Sequence, residues 1–193
     1  MSDLCKKTSR QVNALSRIRN IANEESKNTL YKTFVLSNFN YCSTLWHFCS
    51  NKSLMKMEKL NKRALRVVFD DYNSSYCELL KMSNNECLFI GREKCIIHSV
   101  FKCTQNLVPS YLRYLFQSRS NMLITRSKHI LIQPKVRTTR YGLNSLRYEG
   151  ARLWNHMDND MKTDNYDDFK ILLKNYQKEC ECNVCIYCKI QHL

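Results

Sequence analysis

The stretch Asn51-Lys-Ser-Leu-Met-Lys-Met-Glu-Lys-Leu-Asn-Lys-Arg-Ala-Leu-Arg-Val-Val-Phe69 decides the fold class. Leu54, Met57, Leu60, Ala64 and Val68 recur in steps of three and four residues, which gathers their side chains on one side of an α-helix. Lys52, Lys56, Lys59, Arg63 and Arg66 keep the same period on another side, and all are positive. Solvated helices usually mix signs, because opposite charges at i and i+4 attract. A stripe of one sign therefore has two readings, an ordinary solvated face or a face that meets phosphates.

Working outward, residues 3–22 read as a helix with Val12, Leu15 and Ile18 on its apolar side and Lys6, Arg10 and Arg17 on another. Asn23 is placed to cap a second helix over 24–41, with Glu24 and Glu25 against the positive end of its dipole. That helix is expected to bury Leu30, Phe34 and Tyr41. The aromatic run Tyr41-Cys-Ser-Thr-Leu-Trp-His-Phe-Cys49 is expected to extend it into the core. Ser74-Ser75 opens a short helix reaching Lys81, residues 86–106 form a longer one, and Ser110 starts another over 111–116. From Ser118 to Ser145 the texture changes. His129-Ile-Leu-Ile132 and Val136-Arg-Thr-Thr139 read as a small two-stranded β insertion, and Gly150 as a turn. A last helix is expected over 165–178. The fold class is mainly α.

A length of 193 residues suits one domain with appendages. Hydrophobic and charged fractions of 44% and 25% are globular values and exclude wholesale disorder. No run approaches the roughly 18 apolar residues of a membrane span, and no apolar stretch follows Lys6, Lys7 and Arg10 as in a secretory signal. The expectation is a cytoplasmic or nuclear protein, not secreted and with no membrane partner. The 11 cysteines are odd in number and lack an export signal, so they read as reduced thiols. Cys42, Cys77, Cys87, Cys95 and Cys103 are expected to serve as small hydrophobes. The three glycines are isolated, which argues against a phosphate-cradling loop and a self-contained nucleotide-binding enzyme.

The net charge of +14 is concentrated: residues 1–70 hold 13 basic and 5 acidic residues, and residues 126–152 hold 7 and 1. Such an excess points to a polyanionic partner, nucleic acid before membrane. In the second region Arg126, Lys128, Lys135, Arg137, Arg140, Arg147 and Arg152 are interleaved with Tyr141, Tyr148 and Trp154. Cations track phosphates and exposed rings stack on unpaired bases. In the alternative, the rings are core and only the cations are exposed, with Trp154 the first to be assigned to the core.

Cys180, Cys182, Cys185 and Cys188 crowd the C-terminus, followed by His192. C-x2-C is a usual zinc half-site, but the two such pairs share Cys185, and one contiguous stretch would strain the backbone around a tetrahedral ion. The tail reads either as a zinc site or as reduced thiols; no other cofactor is expected. His47, His98, His129, His156 and His192 lack a metal-ligand spacing, and His47 and His98 lie on apolar stretches as core or rim residues.

In order, the segments Leu4-Cys-Lys-Lys-Thr-Ser-Arg-Gln-Val-Asn-Ala-Leu-Ser-Arg-Ile18, Phe39-Asn-Tyr-Cys-Ser-Thr-Leu-Trp46, Leu60-Asn-Lys-Arg-Ala-Leu-Arg66 and Asp71-Tyr-Asn-Ser-Ser75 carry a resemblance. Pro134-Lys-Val-Arg-Thr-Thr139, Gly150-Ala-Arg-Leu-Trp154, Phe169-Lys170 and Cys180-x-Cys182-x2-Cys185 continue it. Together they resemble the C-terminal portion of reverse transcriptases of non-LTR, jockey-like retrotransposons. The resemblance spans nearly the whole chain and rests on shared order and spacing. It implies a helical thumb-like bundle over 1–117, a basic β/α extension over 118–178 and a Cys-rich tail over 179–193. It also implies that an endonuclease and a polymerase palm belong upstream. The chain would then be a catalytically incomplete fragment of an RNA-directed DNA polymerase. Its partners would be template RNA or RNA–DNA hybrid, and the missing polymerase core. Lys52, Lys56, Lys59, Arg63 and Arg66 would hold one backbone, and Lys128, Lys135, Arg137 and Arg140 another. The competing expectation is a structural remnant or protein-interaction module without nucleic-acid binding of its own.

Val68-Phe69-Asp70-Asp71-Tyr72 imitates the paired aspartates with which polymerases hold two metals. It ends a basic helix where a β-hairpin is needed, and Val68 stands where the aromatic residue should. The reading is a helix cap and turn, and no enzyme activity is expected.

Overall fold

The computed structural model describes residues 2–118 and 130–176. Among them ten α-helices follow one another: α1 Ser2–Arg17, α2 Glu24–Leu30, α3 Ser37–Asn40, α4 Ser43–His47, α5 Asn51–Phe69, α6 Tyr76–Met82, α7 Leu88–Thr104, α8 Ser110–Arg113, α9 Leu146–His156 and α10 Tyr166–Asn175. The protein is mainly α-helical. It divides into two compact units that meet in sequence at Arg92 and Glu93, within α7.

In the N-terminal unit, local chemistry sets the helix ends. The Asn23 side chain accepts the Ser26 N–H at 2.9 Å and caps α2. Ser75 and Glu78 form a reciprocal capping box that opens α6. α5 stops at Asp70, whose left-handed φ of 50° a short polar side chain tolerates. α1, α2 and α6 pack on α5. Leu54, Met57, Ala64 and Val68 are buried as the spacing predicts, and Leu60 is half-buried.

The second helix departs from expectation. Phe34 and Tyr41 are 56% and 74% exposed, whereas Tyr31, Val35 and Phe39 are buried. With Lys27 these make a strict four-residue stripe. In an ideal α-helix each four-residue step drifts by about 40°, so such a stripe would wander off the core. The π-helical segment Tyr31–Leu36 unwinds the chain and keeps it facing α5. Nor does the helix continue through Cys49: Cys42 takes a left-handed φ of 51° and breaks the chain before α4. Cys42 and Cys95 are exposed, so they do not serve as core hydrophobes, whereas Cys87 and Cys103 are buried.

In the C-terminal unit the aromatic rings form the core. Phe101 and Phe169 stack at 4.0 Å between centroids, with Trp154 at 6.0 Å from Phe169. The expected two-stranded β insertion is absent among the described residues. Leu131 makes only an isolated bridge to Ser118, and Val136–Thr139 pairs with nothing as a strand. The hydrogen bonds a strand would need go elsewhere. Asn155, on α9, accepts the Leu131 N–H and donates to the Leu131 carbonyl, both at 2.9 Å. The carbonyls of Thr138 and Thr139 close a π turn by accepting from Leu143 and Asn144. His129 lies outside the described residues.

Gly150 is no turn; it sits inside α9 because another residue would not fit. A Cβ there would lie 2.8 Å from the Phe116 ring and 2.9 Å from Val100 Cγ2. Gly150→Ala would gain about 1 kcal/mol of helix propensity and lose about 1–3 kcal/mol to overpacking. We expect a net loss of about 1 kcal/mol in a urea titration. Gly91→Ala, within α7 and with nothing inside 4 Å, is expected to gain up to about 1 kcal/mol. If Gly150→Ala gains stability as Gly91→Ala does, the packing argument at Gly150 is wrong.

Candidate nucleic-acid interface

On α5, Lys52, Lys56, Lys59 and Arg63 are exposed together, while Arg66 is half-buried. The Arg66 Nε has no hydrogen-bond partner among the described residues. The only acid of the helix, Glu58, is turned inward and buried, so nothing on α5 itself neutralises the exposed stripe. Lys52 to Arg63 spans about 16 Å at the helical rise, the length of about five phosphates along one strand.

Arg63 Nη2 donates to Asn13 Oδ1 of α1 at 2.8 Å. This bond ties the stripe to a second cationic row, since Lys6, Arg10 and Arg17 share Asn13's side of α1 at steps of four, three and four, and all three are exposed. The α1 cations were visible in the sequence, but nothing there placed them beside α5. Lys62 is different: it is buried, and burial first, then the neighbouring Arg66 charge, pulls its pKa below the usual lysine value.

The Glu58 carboxylate holds the unit together from inside. It accepts from Tyr76 Oη at 2.6 Å, from the Phe89 N–H at 2.9 Å and from the Leu88 N–H at 3.3 Å, and lies 3.9 Å from Arg92 Nη2. Tyr76 in turn accepts from Asn61 Nδ2, and Asn61 Oδ1 accepts from Tyr31 Oη, both at 2.8 Å. Burial, then the Glu58 charge, holds the Tyr76 phenol far above its ordinary pKa.

The paired aspartates are engaged in structure. Asp70 Oδ2 accepts from Lys27 Nζ at 2.7 Å, and Lys27 is only 6% exposed. Asp71 Oδ1 accepts the N–H groups of Asn73 and Ser74, and hydrogen bonding from the Ser74 side chain first, then these backbone bonds, holds its carboxyl below the usual range. Arg19 donates to Tyr72 Oη at 2.9 Å. The segment is a pinned helix-stop.

In the C-terminal unit, Lys135, Arg137, Arg140 and Arg147 are exposed, while Arg152 is gripped by Glu149 through two bonds of 2.8 and 2.5 Å. Of the interleaved rings, Trp154 belongs to the core, Tyr148 is half-buried and Tyr141 is 80% exposed. The guanidinium of Arg140 lies 5.6 Å from the Tyr141 ring centre. Tyr111 and Arg113 of α8, with Tyr114 just after it, are exposed as well, a grouping that the helix expected over 111–116 does not reveal.

His47 is half-buried and stacks on Phe89 at 5.4 Å. His98 Nε2 is 3.2 Å from Tyr166 Oη, and burial, then Lys102 and Lys170, lower its pKa. Among the described residues no three His, Cys, Asp or Glu side chains are grouped to hold a metal. Lys128 and the cysteines Cys180, Cys182, Cys185 and Cys188 lie outside the described residues. No helix among the described residues is long and apolar enough to cross a membrane.

Fold and surface together define a helical protein with cationic faces of one sign. No protein-family model matches it, and no curated protein or solved structure is significantly similar.

Proposed function

We propose that the protein binds nucleic acid without sequence preference through the joined cationic faces of α1 and α5. This is how a thumb-like bundle in the C-terminal region of a retrotransposon reverse transcriptase would hold template RNA or an RNA–DNA hybrid. The observation that carries the reading is the arrangement of α5: four exposed cations in register, with the helix's only acid buried. The sequence resemblance to non-LTR elements supports it independently. On this reading the protein acts in the cytoplasm or nucleus and performs no chemistry by itself, Asp70 and Asp71 being helix-stop residues.

Titrating the folded protein with an RNA hairpin and with an RNA–DNA hybrid at several salt concentrations tests the reading. Log K is expected to fall with log salt by about 0.7–0.9 per phosphate neutralised. The four exposed α5 cations alone would give a slope near −3. Absence of binding at low salt would leave the cations as a solvated face.

A second reading draws on the apolar surface of the N-terminal unit, where Phe34, Tyr41 and Leu45 are exposed. Side chains of this size outside a core mark surfaces that meet another protein. The partner would be the polymerase core that the resemblance implies, and the bundle would then need no nucleic-acid binding of its own.

A further inference from the structure

We infer that the segment 135–147 is a stacking site for an unpaired base of single-stranded RNA, with Tyr141 as the platform and Arg137 and Arg140 as its phosphate contacts. The inference rests on the nucleic-acid reading above and specifies the form of ligand this second surface takes.

Three observations converge on it. Tyr141 is exposed over four fifths of its surface, yet it stands on a segment held in shape by its own bonds. The Leu143 N–H donates to the Thr138 carbonyl at 3.1 Å, the Asn144 N–H to the Thr139 carbonyl at 3.0 Å, and Ser145 Oγ to the Gly142 carbonyl at 2.6 Å. Val136 folds back onto Gly142 so closely that a Cβ there would sit 2.7 Å from Val136 Cβ. A ring presented on a fixed segment loses little conformational entropy when a ligand covers it.

The second observation is charge. From residue 130 to 152 the only acid is Glu149, and its carboxylate is engaged by Arg152. Lys135, Arg137, Arg140 and Arg147 therefore face solvent without a counter-charge in the segment. This complements a phosphate chain. The third is the pairing of ring and guanidinium at Arg140 and Tyr141. The face of a base can lie on the ring while the neighbouring cation reaches the adjoining phosphate, an arrangement typical of sequence-tolerant single-strand binding. A duplex keeps its base faces stacked inside and offers the ring nothing.

The test uses the full chain and a short unstructured RNA carrying one 2-aminopurine, compared with a fully paired RNA duplex of equal length. Tyr141→Ala is expected to weaken single-strand binding about 5- to 100-fold, with the salt slope unchanged because no phosphate contact is lost. Quenching of 2-aminopurine on binding should shrink in Tyr141→Ala and survive in Tyr141→Phe, which keeps the ring. Duplex affinity should be the same in all three proteins. Since Tyr141 packs on no core, matching thermal melts will show that the variants fold. Wild-type single-strand affinity in Tyr141→Ala, with salt-dependent binding intact, overturns the stacking site and leaves the α1/α5 reading standing. A wild-type protein that binds no nucleic acid at low salt overturns both. Tyr141-dependent binding to phosphatidylserine vesicles, without an effect on single-stranded RNA, assigns the segment to membranes and overturns the inference.

Discussion

Glu58→Ala is expected to destabilise the N-terminal unit by about 3–5 kcal/mol, the range for removing one partner of a buried ion pair. The substitution leaves Tyr76 Oη and the Leu88 and Phe89 N–H groups without this acceptor, and takes the counter-charge from the buried Arg92 guanidinium. Arg92 is 3% exposed, and its Nε and Nη2 make no hydrogen bond among the described residues, so Glu58 is its compensating charge. Burial already pulls the Arg92 pKa down, and Glu58 is the largest influence opposing that shift. Glu58→Gln keeps the shape and one acceptor oxygen while losing the charge, so its cost should be smaller, about 1–3 kcal/mol. Urea titrations followed by circular dichroism measure both. Because a domain's whole stability is commonly about 5–15 kcal/mol, the alanine variant should show a conspicuously lower midpoint. A loss below about 1 kcal/mol for Glu58→Ala would mean that water or side-chain rearrangement satisfies these groups, and that the network does not tie α5 to α6 and α7.

This network also shows where the sequence stopped being legible. α5 is readable because its apolar residues keep one helical period and Asp70 stops it. The caps at Asn23 and Ser75 were readable because capping is local chemistry between residues three apart. Glu58 and Asn61 sit among those same apolar positions, yet nothing within α5 says that a charged and an amide side chain face inward. Their partners, Tyr31, Tyr76 and Arg92, lie 15 to 34 positions away in sequence. The π segment escaped for a related reason. Leu30, Phe34 and Tyr41 fit an α-helical face as well as Tyr31, Val35 and Phe39 do, and packing on α5 chose the latter at the cost of unwinding one turn. The β insertion rests on β-branched residues at 129–139, whose propensity is weak against context. Asn155, 24 positions downstream, took the hydrogen bonds that a second strand would have supplied. Exposure was the least legible property of the candidate site. Composition gave the cations and rings of 126–152 and pointed to Trp154 as the first ring for the core, where it is buried, but only packing shows that Tyr141 is exposed.

The quadruple variant Lys52→Ala, Lys56→Ala, Lys59→Ala, Arg63→Ala is expected to lose about 600- to 4,000-fold in affinity for an RNA hairpin near 0.1 M salt. Each phosphate contact contributes about 0.7–0.9 to the salt slope, equivalent to a factor of about 5–8 per contact at that concentration. Four contacts compound to that range, and the slope itself should flatten by about 3. Three of these side chains make no hydrogen bond to the rest of the described chain and the fourth bonds only exposed Asn13, so the fold should tolerate the change. Alanine is also the best helix former, and removing like charges three and four residues apart relieves repulsion along α5. The variant should therefore melt no lower than the parent while binding far more weakly, a combination that unfolding cannot produce. The matching change of Lys6, Arg10 and Arg17 to Ala on α1 should flatten the slope by a further amount of up to about 2–3, if the row joined through Asn13 lies along the same nucleic-acid strand. A full slope retained by the α5 variant would move the binding surface off this helix altogether. The one-signed stripe would then be only the solvated side of a core helix.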